Sequence, residues 1–580
     1  MSRPTLSALL ALALHAAALA TGGDERSDDL PPAPAFHVES DDAHVRVSWD
    51  GHAVDVATVR RPGRYDWHRK VIVQPSHVEV EDTVTNRADD VIGVPLEYAV
   101  PGSAADVRLG GQTVGVRTTL YDPWNPTVFV ADAGAGAGVV AEDDVLRQQL
   151  KLRFDPATAR ASLATDMLCL APGDATTLRW SVYPLARARY ADFVNTVRRD
   201  WGANRTVPGS WAWFTPDHIL AMDDAALRAA LAHQGTEIAS LAGGWVDSRR
   251  VSTPTVIGFG SYVADDTFAD YRGRIRGAIE KLKRARPGLR ALAYFNAQRD
   301  SAPDAPTRYR DSLLVTPAGA PERVDWKGRY TPAWSMVPTT SNAFGRRMDE
   351  IARAMHSLGA DGLYWDEIDE TDFRAPRVTT GAWDNRTCML SADGGVQQKV
   401  GLVNLLSAEA KRGYASHGLV LGNGPATTSG WRQSAEIRMI ESFHDPSWVT
   451  FAHLCTPLGY VGFTDRSWDT VLRTVEAGLL VAGGRLDYDY DVLARMFPFT
   501  PRYLDAGTLW GEERVVTTRS GALRWRTSCP AVRAFRYDGD GKEHAATWTT
   551  THDEDVVRVD IDLAPREMAV IECPTPAASR

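Results

Sequence analysis

From about residue 206 to residue 507, strand-like and helical runs alternate along the chain, and no other feature narrows the fold so far. EIASLAGGW, VIGFGSYV, RALAYFN, DGLYWDEI, LVLGNGP and EIRMIESFHD read as strands, with LGYVGF and RLDYDY completing the series. Between them lie runs with apolar residues at helical spacing: FADYRGRIRGAIEKLKRARPG, GRRMDEIARAMHSLGA, QKVGLVNLLSAEAKRGYASHG and SWDTVLRTVEAGLLV. Such alternation calls for a parallel β/α array, and near this length a closed (β/α)8 barrel is the favoured form.

The flanks are written differently. Residues 36–205 hold many short β candidates, HVEVEDTVTN and TTLRWSVYPL among them, punctuated by turn residues, which predicts a large β-sandwich ending on the helix ARYADFVNTVRRDWG. The Gly-rich ADAGAGAG at 131–138 reads as a loop, since no Gly-Lys-Ser/Thr follows to make it a phosphate cradle. Residues 508–580 return to β text and predict a small C-terminal β-sandwich. The fold class is thus multidomain: β-sandwich, barrel, β-sandwich.

The chain opens on MSRPTLSALLALALHAAALATGG, with Arg3 before an apolar run and a small-x-small site at Ala18–Ala20. That pattern predicts a secretory signal over residues 1–20, shorter than a membrane span requires, and then a polar linker over 21–35. The protein is expected to be secreted or periplasmic. A net charge of −10 without a basic stripe argues against nucleic acid as a partner. Of five cysteines, Cys529 and Cys573 are placed to pair, and the odd number leaves at least one unpaired within the chain. No CxxC, HxH or HExxH occurs, so neither a metal nor a cofactor is expected.

In a parallel barrel the reactive groups sit where strands end and the following loops open. DGLYWDEID, residues 361–369, runs from an apolar ramp straight into Asp366 and Glu367. Buried strands do not end on carboxylates without a partner or a purpose, because removing such a charge from water costs several kcal/mol. Other strands end similarly: RALAYFN on Asn296, LVLGNGP on Asn423, IRMIESFHD on Glu441, His444 and Asp445, and ASLAGGWVD on Trp245 and Asp247. Carboxylates with aromatic platforms and amide donors are the equipment of glycoside hydrolysis, which sets two carboxyls astride the scissile bond. Trp334 and Tyr364 join Trp245, Asn296, Asn423 and His444 as candidate substrate contacts. The LDYDYD run, with Asp487, Asp489 and Asp491, lacks the glycine and closing Glu of a calcium loop and reads as barrel rim.

This layout, with DGLYWDEID and the later PFTPRYLDAGTLWGEERVVT, resembles retaining glycoside hydrolases of the α-galactosidase type (clan D) and their α-glucosidase relatives, whose N-terminal domain is a β-super-sandwich. The resemblance implies an Asp nucleophile ending the fourth barrel strand and an Asp acid/base ending the sixth. Counting EIASLAGGW as strand one puts Asp366 at the end of strand four and Glu441 or Asp445 after strand six. Counting GSWAWF as strand one moves DGLYWDEID to strand five. Tyr364 stands where α-galactosidases carry a Lys two residues before their Asp. Period-two alternation puts Asp366 and Glu367 on opposite faces of the strand, so only one should face inward. The resemblance favours Asp366 as nucleophile, with Glu367 its alternate, and Glu441 is preferred to Asp445 as acid/base because Glu starts nearer the pKa of a general acid. The expected function is hydrolysis of a poly- or oligosaccharide; a catalytically silent carbohydrate-binding barrel is the alternative. Sugar identity, linkage and oligomeric state are not written in these motifs.

Overall fold

The computed structural model describes residues 26–574, apart from 116–117, 133, 242–268, 317, 326–331, 370–382, 392–394, 425, 430–436, 442–449, 451, 462–466 and 484–489. Two seven-stranded antiparallel sheets make up the N-terminal part. The clearest strand signal, Val78–Asn86, alternates between buried and half-buried positions along its whole length. Its inward valines join Val45, Val47 and Val56 of the facing sheet, Leu163, and Trp180 in a single sandwich core. The Gly-rich stretch read as a loop is mostly strand, Ala135–Ala141. Its glycines are there for space: a Cβ at Gly138 would stand 2.0 Å from the Phe193 ring.

Eight parallel strands follow in sequential order: Ser210–Phe214, Thr236–Leu241, Arg290–Phe295, Gly362–Trp365, Leu419–Asn423, Ile437–Ile440, Leu458–Val461 and Leu480–Gly483. Strands eight and one come side by side, with a Cβ at Gly483 falling 3.7 Å from the Ser210 hydroxyl, so the barrel is nearly closed. Two expected counts are corrected here. GSWAWF is strand one, yet Gly362–Trp365 is still strand four, because Thr236–Leu241 pairs directly with Arg290–Phe295 and no strand intervenes. VIGFGSYV lies outside the described residues. Strand eight is Leu480–Gly483 rather than RLDYDY, most of which also lies outside them.

The helices pack by periodicity and caps. Ala343–Ser357 starts on Asn342, whose side chain accepts from the Gly345 amide, and turns Phe344, Met348, Ile351, Ala352 and Met355 into the barrel's outer core. QKVGLVNLLSAEAKRGYASHG is not one helix. Its start belongs to the hairpin Thr387–Leu390/Val396–Lys399, and the helix proper is Ala408–Ala415.

The C-terminal strands form a six-stranded sheet beginning at Pro501–Asp505, and a four-stranded one. The latter includes Arg26–Ser27, paired in parallel with Gly521–Arg526. The Arg26 guanidinium donates to Thr508 Oγ1 at 2.9 Å and to the Arg519 carbonyl at 2.9 Å, so the first described residues fasten onto the far end of the chain. Disulfides join Cys529 to Cys573 and Cys169 to Cys388, the second tying the sandwich to the segment after barrel strand four; Cys455 is in neither bond. Two such bonds fit an extracellular protein. No helix among the described residues is long and apolar enough to cross a membrane.

Candidate active site

Strand four ends at Trp365, and its alternation sorts the two aromatics before it. Tyr364 points into the barrel, its ring centroid 5.4 Å from that of Trp211 and 5.8 Å from that of Tyr294. Trp365 points outward against Phe295 and Tyr414. Tyr364 is only 5% exposed and so forms the packed floor beneath the mouth.

Above that floor sits Asp366, with both carboxylate oxygens engaged. Tyr294 O–H donates to Oδ2 at 2.6 Å and the Asn423 amide to Oδ1 at 2.8 Å. The same Asn423 amide nitrogen donates to Glu441 Oε2 at 2.9 Å. One nitrogen reaching both holds the two oxygens within about 5.7 Å of each other, the sum of its two bonds. Asn423 ends strand five and Glu441 follows strand six, so three consecutive strand ends build this bridge.

Glu367 is also at the mouth, contrary to the alternation argument. Period two holds only while the strand lasts; at Glu367 the backbone turns into the left-handed region, with φ 50°. Its Oε2 accepts from Asn296 Nδ2 at 3.2 Å and from Arg299 Nε at 3.1 Å, and Arg299 Nη1 donates in turn to Ser335 Oγ at 2.5 Å.

Two further carboxyls crowd Asp366, and a like charge nearby disfavours its ionised form. Burial, then the charges of Glu367 and Glu441, push Asp366 up to about 7, although the Tyr294 and Asn423 hydrogen bonds pull it down. Asp366 keeps a partly exposed surface at the mouth, but protein packs closely around its carboxyl. Burial and the neighbouring Asp366 charge raise the Tyr294 phenol well above its usual value, which keeps it a donor.

The end of the motif anchors the turn from behind. Asp369 is buried and pairs with Lys411 at 3.0 Å and Arg438 at 3.2 Å, and Lys411 also donates to the Ile368 carbonyl and to Asn404 Oδ1. Burial alone would raise Asp369; the two cations outweigh it and hold the carboxyl below its ordinary value. The sandwich domain reaches the same region, for buried Arg147 donates to the Ala426 carbonyl and Gln148 to that of Thr427.

The structure therefore brings together Asp366, Glu367, Glu441, Asn296 and Asn423. Trp334 lies on the strand Ala333–Ser335, half-buried, with the Arg323 guanidinium over its ring at 5.4 Å, and no contact joins it to Asp366 among the described residues. Trp245, His444 and Asp445 fall outside the described residues, as do Asp247, Asp487 and Asp489. Asp491 pairs with His233 at 3.0 Å. Tyr294 and Arg299 were not anticipated. Tyr294 was within reach of the alternation rule, standing two residues before Asn296 on the same strand; nothing in the sequence singles out Arg299. No group of three or more His, Cys, Asp or Glu among the described residues is disposed to hold a metal.

No protein-family model and no curated protein sequence matches this chain. Solved structures do resemble it. A variant of the GH36 alpha-galactosidase AgaA from Geobacillus stearothermophilus, in complex with raffinose, aligns with a TM-score of 0.50 at 11% identity, over 93% of this chain and 85% of that one. AgaB, a GH36 alpha-galactosidase from the same organism, gives 0.50 at 10% identity, over 93% and 84%. The alpha-N-acetylgalactosaminidase NagBb from Bifidobacterium bifidum gives 0.48 at 12% identity, over 84% and 96%. At such identities the likeness is one of fold, that of the clan D type of barrel glycosidase.

Proposed function

We propose that the protein is a secreted glycoside hydrolase that works with retention of configuration. The observation that carries this reading is the Asn423 bridge, which sets two carboxyls, after strands four and six, close enough to act on one glycosidic bond. Asp366 suits the nucleophile: both its oxygens are aimed by donors, which stabilise the carboxylate and fix its attack direction. Glu441 suits the acid/base, being exposed and, among the described residues, held by the Asn423 hydrogen bond alone, so that it can exchange protons with a leaving group and with water.

In the first step Asp366 attacks the anomeric carbon as Glu441 gives its proton to the departing oxygen, leaving a glycosyl ester on Asp366. In the second, Glu441 takes a proton from water, the water oxygen attacks the anomeric carbon, and Asp366 is released as carboxylate. Two disulfides and the signal-like first residues support export. The fold neighbours at a TM-score of 0.50 are α-galactosidases, so α-linked galactosides are the first substrates to try.

Proton NMR of a hydrolysed aryl glycoside tests the mechanism. The first sugar released should carry the anomeric configuration of the substrate. Release of the opposite anomer would assign Glu441 or Glu367 to water activation and dismiss the ester on Asp366.

A further inference from the structure

Glu367 occupies a left-handed backbone conformation, φ 50°, that is costly for a non-glycine residue, and it does so beside the proposed nucleophile. Strain retained at a rim points to a task. The side chain is held from one side only: both donors, Asn296 and Arg299, reach Oε2, whereas Oε1 accepts no hydrogen bond among the described residues. Arg299 is likewise half used. Its Nε serves Glu367, its Nη1 serves Ser335, and no bond among the described residues involves Nη2. Both side chains are mostly buried, 13% and 14% exposed, yet the Glu367 charge acts on Asp366 and on Tyr294, which places it inside the mouth.

We propose that Glu367 and Arg299 together form a clamp for two adjacent sugar hydroxyls, one donating to Glu367 Oε1 and the next accepting from Arg299. A rigid pair of opposite charge offers one acceptor and one donor side by side, the pattern that a vicinal diol matches. The same pair sets the substrate class. Arg299 is already neutralised by Glu367, and the Asp366 and Glu441 carboxyls lie beside the pair, so these four groups together repel an anionic sugar. The clamp therefore selects a neutral glycoside and disfavours uronates and sulfated sugars. This inference rests on the glycosidase reading, and the test separates the two.

Wild-type protein, Glu367→Gln and Arg299→Lys are assayed on 4-nitrophenyl glycosides of neutral hexoses and of uronic acids, and on monodeoxy versions of the best neutral one. Removal of a clamped hydroxyl should cost the wild type about 10- to 100-fold in kcat/KM. The variants should lose a similar factor on the parent sugar and nothing further on the matching deoxy sugar. A merely structural role would slow every substrate alike. Equal further losses on the deoxy sugars, or a preference for uronides, overturn the clamp and leave the hydrolase reading standing. If no glycoside is cleaved, that reading falls, and calorimetric binding of the same free sugars to wild type and Glu367→Gln decides the clamp alone. Binding weakened in the variant supports it, and unchanged or absent binding overturns it.

Discussion

Asp366 and Glu441 share a donor: the side-chain nitrogen of Asn423 lies 2.8 Å from an oxygen of one and 2.9 Å from an oxygen of the other. The Asp366 carboxyl therefore titrates in the field of Glu441. Burial and the charges of Glu367 and Glu441 push it up to about 7, so its proton leaves near neutrality.

The pH profile follows. Below about pH 7 Asp366 is protonated and cannot attack, so kcat/KM on an alkyl glycoside should fall about tenfold per pH unit as the pH drops. A glycosyl fluoride, which needs no protonation to depart, still needs the nucleophile, and its profile should fall alike. A fluoride profile that stays flat through the same range would show that the titrating group is not the nucleophile.

Asn423 and Tyr294 both pull the Asp366 value down by hydrogen bonding. Asn423→Ala and Tyr294→Phe should each move the acidic limb to higher pH while lowering kcat about 10- to 100-fold, since the nucleophile loses an aiming donor. The measurement is the pH dependence of kcat/KM for all three proteins. A limb that stays in place in both variants would show that Asp366 does not set it.

The buried turn anchor makes a prediction about stability. Asp369→Ala removes the carboxylate with which Lys411 and Arg438 both pair, and losing one member of a buried ion network costs about 3–5 kcal/mol. Calorimetry should show the barrel's unfolding transition at a clearly lower temperature. Because Asp369 follows Asp366 and Glu367 in one turn, kcat should fall as well in the protein that still folds. An unchanged transition would mean that water enters and solvates the two cations.

Much of this was legible in the sequence, for unequal reasons. Strand-four chemistry was plain, since Asp366 and Glu367 would close an apolar ramp at a large desolvation cost unless they met a partner or a substrate. The strand count came out right at four and six only because a skipped first strand and an added second one cancelled. Ser210–Phe214 is short, and the apolar VIGFGSYV has the look of a strand. Leu480–Gly483 was hidden because it follows the helix Trp468–Glu476 closely and is apolar throughout, a run that periodicity alone cannot assign. Glu367 was put on the wrong face because alternation was carried past the end of the strand. Lys411 looks like any solvent-facing lysine of a helix, and its partner lies 42 residues away. The Cys169–Cys388 bond spans 219 residues, a separation no local pattern encodes.

Asp366 and Asp369, three residues apart, should respond to pH with opposite signs. The folded value of Asp366 is raised, to about 7, above an unfolded value of about 3.9. The folded state therefore holds that proton more tightly, a contribution complete below about pH 4 and lost as pH rises through 7. Asp366→Asn abolishes the loss, so the variant should be more stable than wild type at pH 8, by on the order of 1–2 kcal/mol after allowance for solvent at the mouth, with the gap closing towards pH 4. Asp369 is depressed by its two cations despite burial, so its contribution is present above the unfolded value and disappears on acidification; Asp369→Asn should be the less stable protein at pH 8 and approach wild type only in acid. Melting temperatures of the three proteins at pH 4.5 and pH 8 check both signs. A destabilised Asp366→Asn at pH 8 would mean that its carboxylate is a net stabilising group in the resting site, paired more strongly by Tyr294 and Asn423 than it is repelled by Glu367 and Glu441.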